Sequence, residues 1–301
     1  MRKFTIAGLG EVLWDVFPTH KQLGGAPANF AYISSLLGDE ALVASRIGAD
    51  DLGDEVVGRL RSLGIDITYL QRDAEHATGT VKVEVAGDGQ PRFEITQAAA
   101  WDFLEWTPAL QELAGRVDAV CFGSLAQRTK QSRETINRFV TATRESAVRV
   151  FDVNLRQSYY SAEILGASAE KADILKLNED EVPVVMQSLA APKVDQLHAA
   201  QWLLQRFELK LVCVTRGGSG SLLVNRNAHD EHPGYRVTVA DTVGAGDAFT
   251  ATLVHHYLRG SNLATMNDAA NRMGAWIASV PGATPAADPV QIEKARATVD
   301  G

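Results

Sequence analysis

Short apolar runs alternate with stretches of helical period along most of the chain, a pattern that predicts strands joined by crossover helices and a mainly parallel sheet. Phe4–Gly10 reads as a first strand and Asn29–Leu37 as a helix stopped by Gly38. Ala41–Ile47 then predicts a strand, and Leu52–Leu63 a helix that ends at Gly64. The same couple recurs at Asp118–Phe122 before a helix over Arg133–Glu145, at Val148–Val153 before another helix, and at Ile174–Leu177 before Glu179–Gln187. Leu209–Thr215 and Ser221–Val224 predict strands joined through Gly217, Gly218 and Gly220, and the last third returns to helices beginning at Ala245 and Ala264.

One region breaks the rhythm. Val81, Val83 and Val85 alternate, and Phe93 and Ile95 follow after Gly87-Asp88-Gly89-Gln90-Pro91, which predicts a hairpin with two distinct faces. With Glu11–Phe17 it would form a small sheet outside the main one, its strands within about 11–20 and 68–97 of a single domain spanning 1–301. Trp14, Phe17 and Phe93 would leave apolar surface exposed unless that sheet covers something. The sequence contains no internal repeat, low-complexity tract or long linker.

Composition narrows the class. The 301 residues are 46% hydrophobic and 22% charged, the balance of an ordinary globular α/β protein. A net charge of -8 argues against a general nucleic-acid binder but leaves room for a small anion held at one site. Cys121 and Cys213 lie in apolar runs and read as buried strand residues, with no spacing that suggests zinc. Glu11 and Asp15 interrupt the N-terminal apolar run before an export segment forms, and no run approaches the ~20 apolar residues of a membrane span. A reducing cytoplasm is the expected location.

The chemistry is concentrated in Asp241-Thr242-Val243-Gly244-Ala245-Gly246-Asp247-Ala248-Phe249. Consecutive N–H groups at Gly244, Ala245 and Gly246 would open a helix, where unpaired donors and the positive dipole end attract a phosphate-like anion. Asp247 would stand in the first turn beside it, placed to act as a base. Near the N-terminus, Asp15 follows the first strand, and a carboxylate there can accept hydrogen bonds from two adjacent hydroxyls. Gly24 and Gly25 would let the backbone approach a ligand, and Asn29 offers both donor and acceptor. Phe151-Asp152-Val153-Asn154-Leu155-Arg156 ends a predicted strand, where open α/β sheets place ligand residues, and Arg156 can grip phosphate oxygens bidentately. Neither Gly8-Leu9-Gly10 nor Gly244-Ala245-Gly246 completes a dinucleotide fingerprint, and no GxxxxGK[ST] occurs. His255-His256 and the pair His229 and His232 lack a metal-ligand set and read as helix-surface and loop residues, while Trp101, Trp106 and Trp202 read as packing residues.

The stretch around Gly244–Asp247 resembles the C-terminal signature of the ribokinase-like, or pfkB, carbohydrate kinases, and Gly24-Gly25-Ala26-Pro27-Ala28-Asn29-Phe30-Ala31 resembles a second family motif. With the landmarks between them in the family's order, the resemblance covers Gly10 to about Pro285. It implies a three-layer α/β fold with a mainly parallel central sheet, a small β-sheet lid that often pairs with another subunit, and hence a homodimer through the lid. It also implies ATP-dependent phosphorylation of a sugar hydroxyl, with Asp247 as base and the 244–246 amides as anion hole. By the same resemblance Asp15, Gly24, Gly25 and Asn29 would hold the sugar, and Arg156 the phosphates. Asn178, Thr215, Gly217, Gly220, Gly246 and Asn271 would face the nucleotide, and Glu181 would reach Mg²⁺ through water. Asn178 and Glu181 also read as an ordinary helix start, and both readings hold together. Asp241, Val243, Ser279 and Gly282 would form a monovalent-cation site, often potassium, although Ala286 stands where some relatives carry a serine ligand. Val153 replaces the family's proline in Asp-Pro-Asn-x-Arg. The opening Gly-Glu-Val-Leu-Trp-Asp is most similar to bacterial fructokinases, which suggests D-fructose, while relatives accept ribose, 2-keto-3-deoxygluconate or nucleosides. A catalytically silent sugar-binding regulator is the alternative from another class, and its mark would be a lost base or a broken anion loop.

Overall fold

A computed structural model describes residues 2–85 and 91–297. The apolar runs do form strands: β1 (Thr5–Leu9), β2 (Leu13–Val16) and β3 (Lys21–Gly24) precede helix α1 (Ala26–Leu36), and β4 (Glu40–Gly48) precedes α2 (Asp51–Ser62). After β5 (Leu70–Asp73), β6 (Gly79–Val85) and β7 (Pro91–Ile95) come α3 (Pro108–Arg116), β8 (Ala119–Gly123), α4 (Lys130–Ala142), β9 (Val148–Asp152), α5 (Ala162–Ala169) and β10 (Ile174–Asn178). The remainder is α6 (Glu181–Ser188), α7 (Gln196–Arg206), β11 (Leu211–Thr215), β12 (Ser221–Val224), β13 (His229–His232), α8 (Ala245–Leu258), α9 (Leu263–Ala278) and α10 (Pro289–Arg296).

The main sheet has the order β13-β12-β11-β10-β9-β8-β1-β4-β5. It is parallel from β11 to β5, and β12 and β13 run antiparallel at one edge. Strict alternation divides its core into two layers. Ala7, Leu9, Val120 and Phe122 face the layer closed by α3 to α7, whereas Ile6, Val43, Cys121 and Val150 face the layer closed by α1, α8 and α9. The expected three-layer architecture is therefore present. Both cysteines are buried and free.

The second sheet, β3-β2-β6-β7, is antiparallel at both outer pairs and parallel between β2 and β6. Leu70–Asp73, which lies inside the 68–97 range, instead pairs with β4 at the edge of the main sheet. The predicted turn at Gly87–Gln90 and the side chain of Phe93 lie outside the described residues. Trp14 is not exposed as expected: it is 6% accessible, packs into the layer of α1 and α2, and its indole N–H donates to the Leu52 carbonyl at 3.0 Å. Phe17 stacks on His20 of its own hairpin. Of the three aromatics, Trp14 is thus covered by the same chain and Phe17 is half-buried.

Helix ends also differ from expectation. α1 begins at Ala26 rather than Asn29, because Pro27 fits the first turn without a free N–H. His255 and His256 are buried rather than on the helix surface: His255 Nδ1 lies 2.6 Å from Asp39 Oδ2, and His256 Nε2 lies 2.8 Å from the Ala295 carbonyl. His229 and His232 bound the strand β13 rather than a loop. No described helix is long and apolar enough to cross a membrane.

Candidate active site

The C-terminal ends of β1, β8, β9, β10 and β11 and the N-terminus of α8 converge on one region, the crevice where open α/β sheets bind ligands. Gly244 is the N-cap of α8 with φ 78 and ψ -7, a left-handed conformation that glycine adopts without strain. A Cβ there would also stand 2.8 Å from Ala283 Cα. The Ala245 N–H reaches back to the Thr242 carbonyl at 3.3 Å. Those of Gly244 and Gly246 have no protein acceptor among the described residues and keep their hydrogens for a ligand. The expected row of three free amides is therefore a pair, with Ala245 partly engaged.

Asp247 follows in the first turn. Asn29 Nδ2 donates to its Oδ2 at 2.8 Å, which joins the two motifs across 218 residues of sequence. Burial raises the Asp247 carboxyl to about 6, with Asp152 adding to the shift, while Asn29, Lys176 and Arg156 oppose it. Asn29 Oδ1 is buried without a partner, and so is Glu11 Oε2. Burial pushes Glu11 up to about 7 against the pull of neighbouring backbone amides and Arg156. Asp15 is raised to about 6, again by burial first, and is eased by Arg156. Its Oδ2 lies so close to Gly24 that a Cβ there would stand 2.2 Å away, and Gly25, at φ 102, would collide with the Glu11 carbonyl. The glycine pair is required by the carboxylate and strand that it packs against.

At the ends of β9 and β10 the polar groups are satisfied. Asp152 accepts from Lys176 Nζ and from the Thr250 hydroxyl, both at 3.0 Å. The Glu181 carboxylate accepts from the Leu155 N–H at 2.7 Å and the Asn178 N–H at 2.8 Å, and the Glu181 N–H donates to Asn178 Oδ1 at 2.9 Å. This is a reciprocal helix cap that also ties the 153–156 loop to β10. Each Glu181 oxygen keeps a lone pair, so a contact with a hydrated cation is compatible with this geometry while direct ligation would compete with the cap. Arg156 is exposed, donates to its own Leu155 carbonyl at 3.0 Å, and influences Glu11, Asp15 and Asp247 electrostatically.

Asp241 accepts from the Val243 N–H at 3.0 Å and the Gly282 N–H at 3.2 Å, and so binds the anion turn to the segment that follows α9. The Ser279 hydroxyl is spent on the Trp276 carbonyl at 2.7 Å. Thr215 ends β11, and Gly217 and Gly220 both have positive φ in the turn to β12. Gly220 is fixed by β13, whose His232 carbonyl would lie 1.9 Å from a Cβ. Asn271 Nδ2 donates to Ser221 Oγ at 2.7 Å and to the Asn267 carbonyl at 2.8 Å in a buried network behind β12.

Sequence reasoning missed two residues. Glu11 carries no site role in the sequence reading, where it is a charge that interrupts an apolar run and part of the Gly-Glu-Val-Leu-Trp-Asp opening, and Lys176 has none either. Each is a charge set within a buried apolar stretch, Glu11 between β1 and β2 and Lys176 in the middle of β10, which is the available signal.

The model of the pfkB family carbohydrate kinases matches residues 5–289. The chain belongs to the pfkB family of carbohydrate kinases. It is therefore a phosphotransferase with an alcohol group as acceptor, a sugar kinase. Fructokinase from Escherichia coli is 30% identical over 91% of this chain and 93% of that protein. Among solved structures, fructokinase from Vibrio cholerae, crystallised with fructose, ADP and a calcium ion, superposes with TM-score 0.81 at 26% identity over 96% of this chain and 98% of that one. Fructokinase from Xylella fastidiosa, with bound ATP, is alike in fold, with TM-score 0.86 at 22% identity over 98% of both chains.

Proposed function

We propose that this sugar kinase transfers the γ-phosphoryl group of ATP to D-fructose, giving fructose 6-phosphate and ADP. The observation that carries the reading is the Asn29–Asp247 contact, a side-chain bond at the mouth of an anion-binding helix start with the Asn29 carbonyl oxygen left unpaired. A sugar hydroxyl donating to that oxygen would lie next to the base. Asp15 and Glu11 supply further acceptors for neighbouring hydroxyls, and Gly24 and Gly25 keep the floor low. The similarity to fructokinases supports fructose among the acceptors that the fold can take.

In this reading Asp247 removes the proton from the attacking hydroxyl as its oxygen forms a bond to the γ-phosphorus. The bond to the bridging oxygen of ADP breaks in line. The Gly244 and Gly246 amides, assisted by the α8 dipole, hold the charge on the transferring group. Arg156 is exposed, and its long side chain would reach phosphate oxygens by leaving the Leu155 carbonyl. With a carboxyl at about 6, Asp247 is mostly ionised at neutral pH yet basic enough to accept a proton. Thr215, Gly217 and Gly220 would line the nucleotide, with Asn178 behind them. When bound with ATP, Mg²⁺ would neutralise phosphate charge, and Glu181 would reach it through water. The Val243, Ser279 and Gly282 carbonyls with Asp241 would accommodate a potassium ion that braces the turn.

Incubation of the purified protein with Mg-ATP and a panel of D-fructose, ribose, 2-keto-3-deoxygluconate and adenosine, with ADP as readout, tests the acceptor. Fructose should give the highest kcat/KM. A higher value for any other acceptor overturns the assignment, and sugar binding without ADP formation would favour the silent regulator.

A further inference from the structure

Strand β10 carries a charge where its neighbours are apolar. Lys176 lies between Leu175 and Leu177 and is 6% exposed. Its Nζ donates to Asp152 Oδ1, and Asp152 Oδ2 accepts from the Thr250 hydroxyl, which also lies 3.0 Å from the Gly246 carbonyl. The same ammonium stands directly behind the anion turn, because a Cβ built on Gly246 would be 3.2 Å from Nζ. Asp152, Glu181 and Asp247 all act on it electrostatically. One buried cation is therefore paired with Asp152 directly behind the anion turn, at the place where a polyphosphate would add negative charge.

We propose that Lys176 is a positioning residue of the phosphoryl-transfer site. From behind Gly246 it offsets the surrounding carboxylates and, through Asp152 and Thr250, fixes the first turn of α8 that presents the anion-binding amides and Asp247. This rests on the kinase reading above. Lys176 reaches the transferring group through that turn, so its loss should reduce turnover more than ground-state ATP binding. Methionine has a similar length and no charge. In Lys176→Met the Asp152 charge is left unpaired, which destabilises any protein with a buried pair. The double variant Lys176→Met/Asp152→Asn removes that penalty and retains an acceptor for Thr250.

The experiment measures kcat, KM for ATP and thermal unfolding for the wild type and both variants with the best acceptor. Turnover should fall by roughly 10²-fold in each variant, with KM for ATP changed by less than about fivefold, and the double variant should recover stability without recovering kcat. Should the single variant fail to fold, the double variant carries the same test. If the double variant regains kcat to within about threefold of the wild type, Lys176 and Asp152 are only a structural pair and the proposal is wrong. A KM for ATP that rises while kcat holds would also overturn it. A wild type without acceptor-dependent ADP formation would instead overturn the kinase reading, and the proposal with it.

Discussion

Two sets of polar residues at the start of helix α8 are built on opposite principles. On the acceptor side, Glu11 Oε2 and Asn29 Oδ1 are buried and unpaired, and the carboxyls of Glu11, Asp15 and Asp247 are all pushed upward by burial. On the phosphate side, Asp152, Glu181, Asn178 and Asp241 have their oxygens bound by backbone amides, a lysine or a hydroxyl. A buried polar group without a partner costs stability, and beside Asp247 a bound ligand can supply the missing bond. The satisfied side is a frame that holds the anion turn in place. At this site the unpaired Glu11 and Asn29 oxygens are open to a ligand, and the paired groups supply preorganisation.

The largest effect should come from disturbing the frame at its narrowest point. Gly244→Ala places a side chain at a left-handed residue and against Ala283. Turnover should drop on the order of 10²–10³-fold, as when an oxyanion donor is lost. A variant with near-normal kcat would show that the turn tolerates displacement. Glu181→Ala should act next, and mainly on stability, because it strands the Leu155 and Asn178 N–H groups. Each such loss costs about 1–3 kcal/mol, which corresponds to a Tm lower by on the order of 5–10 °C. An unchanged Tm would mean that the cap contributes nothing.

The acceptor side should respond in the opposite sense. Glu11 is held neutral by burial, its folded value of about 7 lying above the ordinary 4.5. Its contribution to stability is therefore full below pH about 4.5 and lost as pH rises through about 7. Glu11→Gln should leave Tm nearly unchanged in acid and raise it by a few degrees at pH 8, while weakening KM for the sugar. Loss of stability at pH 8 in that variant would show that the carboxylate is already paired, and would erase the contrast between the two sides.

Much of this arrangement was readable in advance. Alternating strands and helices followed from runs such as Ala119–Gly123 and Ile174–Asn178, whose apolar residues have few other homes than a two-sided sheet. The polar strand β13 was not, because its pairing is an edge effect of β12 and leaves no hydrophobic period. Nor was the placement of Leu70–Asp73 beside β4 rather than in the lid. The anion turn was recognisable from Gly244 to Asp247, since backbone conformation alone limits the residues that fit. What each side chain holds was less accessible. Asn29 meets Asp247, and Asn271 turns into a buried network, through tertiary contacts that no local pattern encodes. Trp14 likewise looks like exposed lid surface until α2 is packed over it.

The central claim is that Asp247 takes the proton of the attacking hydroxyl, and Asp247→Asn tests it most directly. Asparagine keeps the size and can still meet Asn29, so sugar and ATP dissociation constants, measured by calorimetry on the same sample used for turnover, should stay within several-fold of the wild type. Turnover should fall by about 10²–10⁴-fold. Near wild-type turnover with binding intact would remove Asp247 from the chemistry and contradict the account.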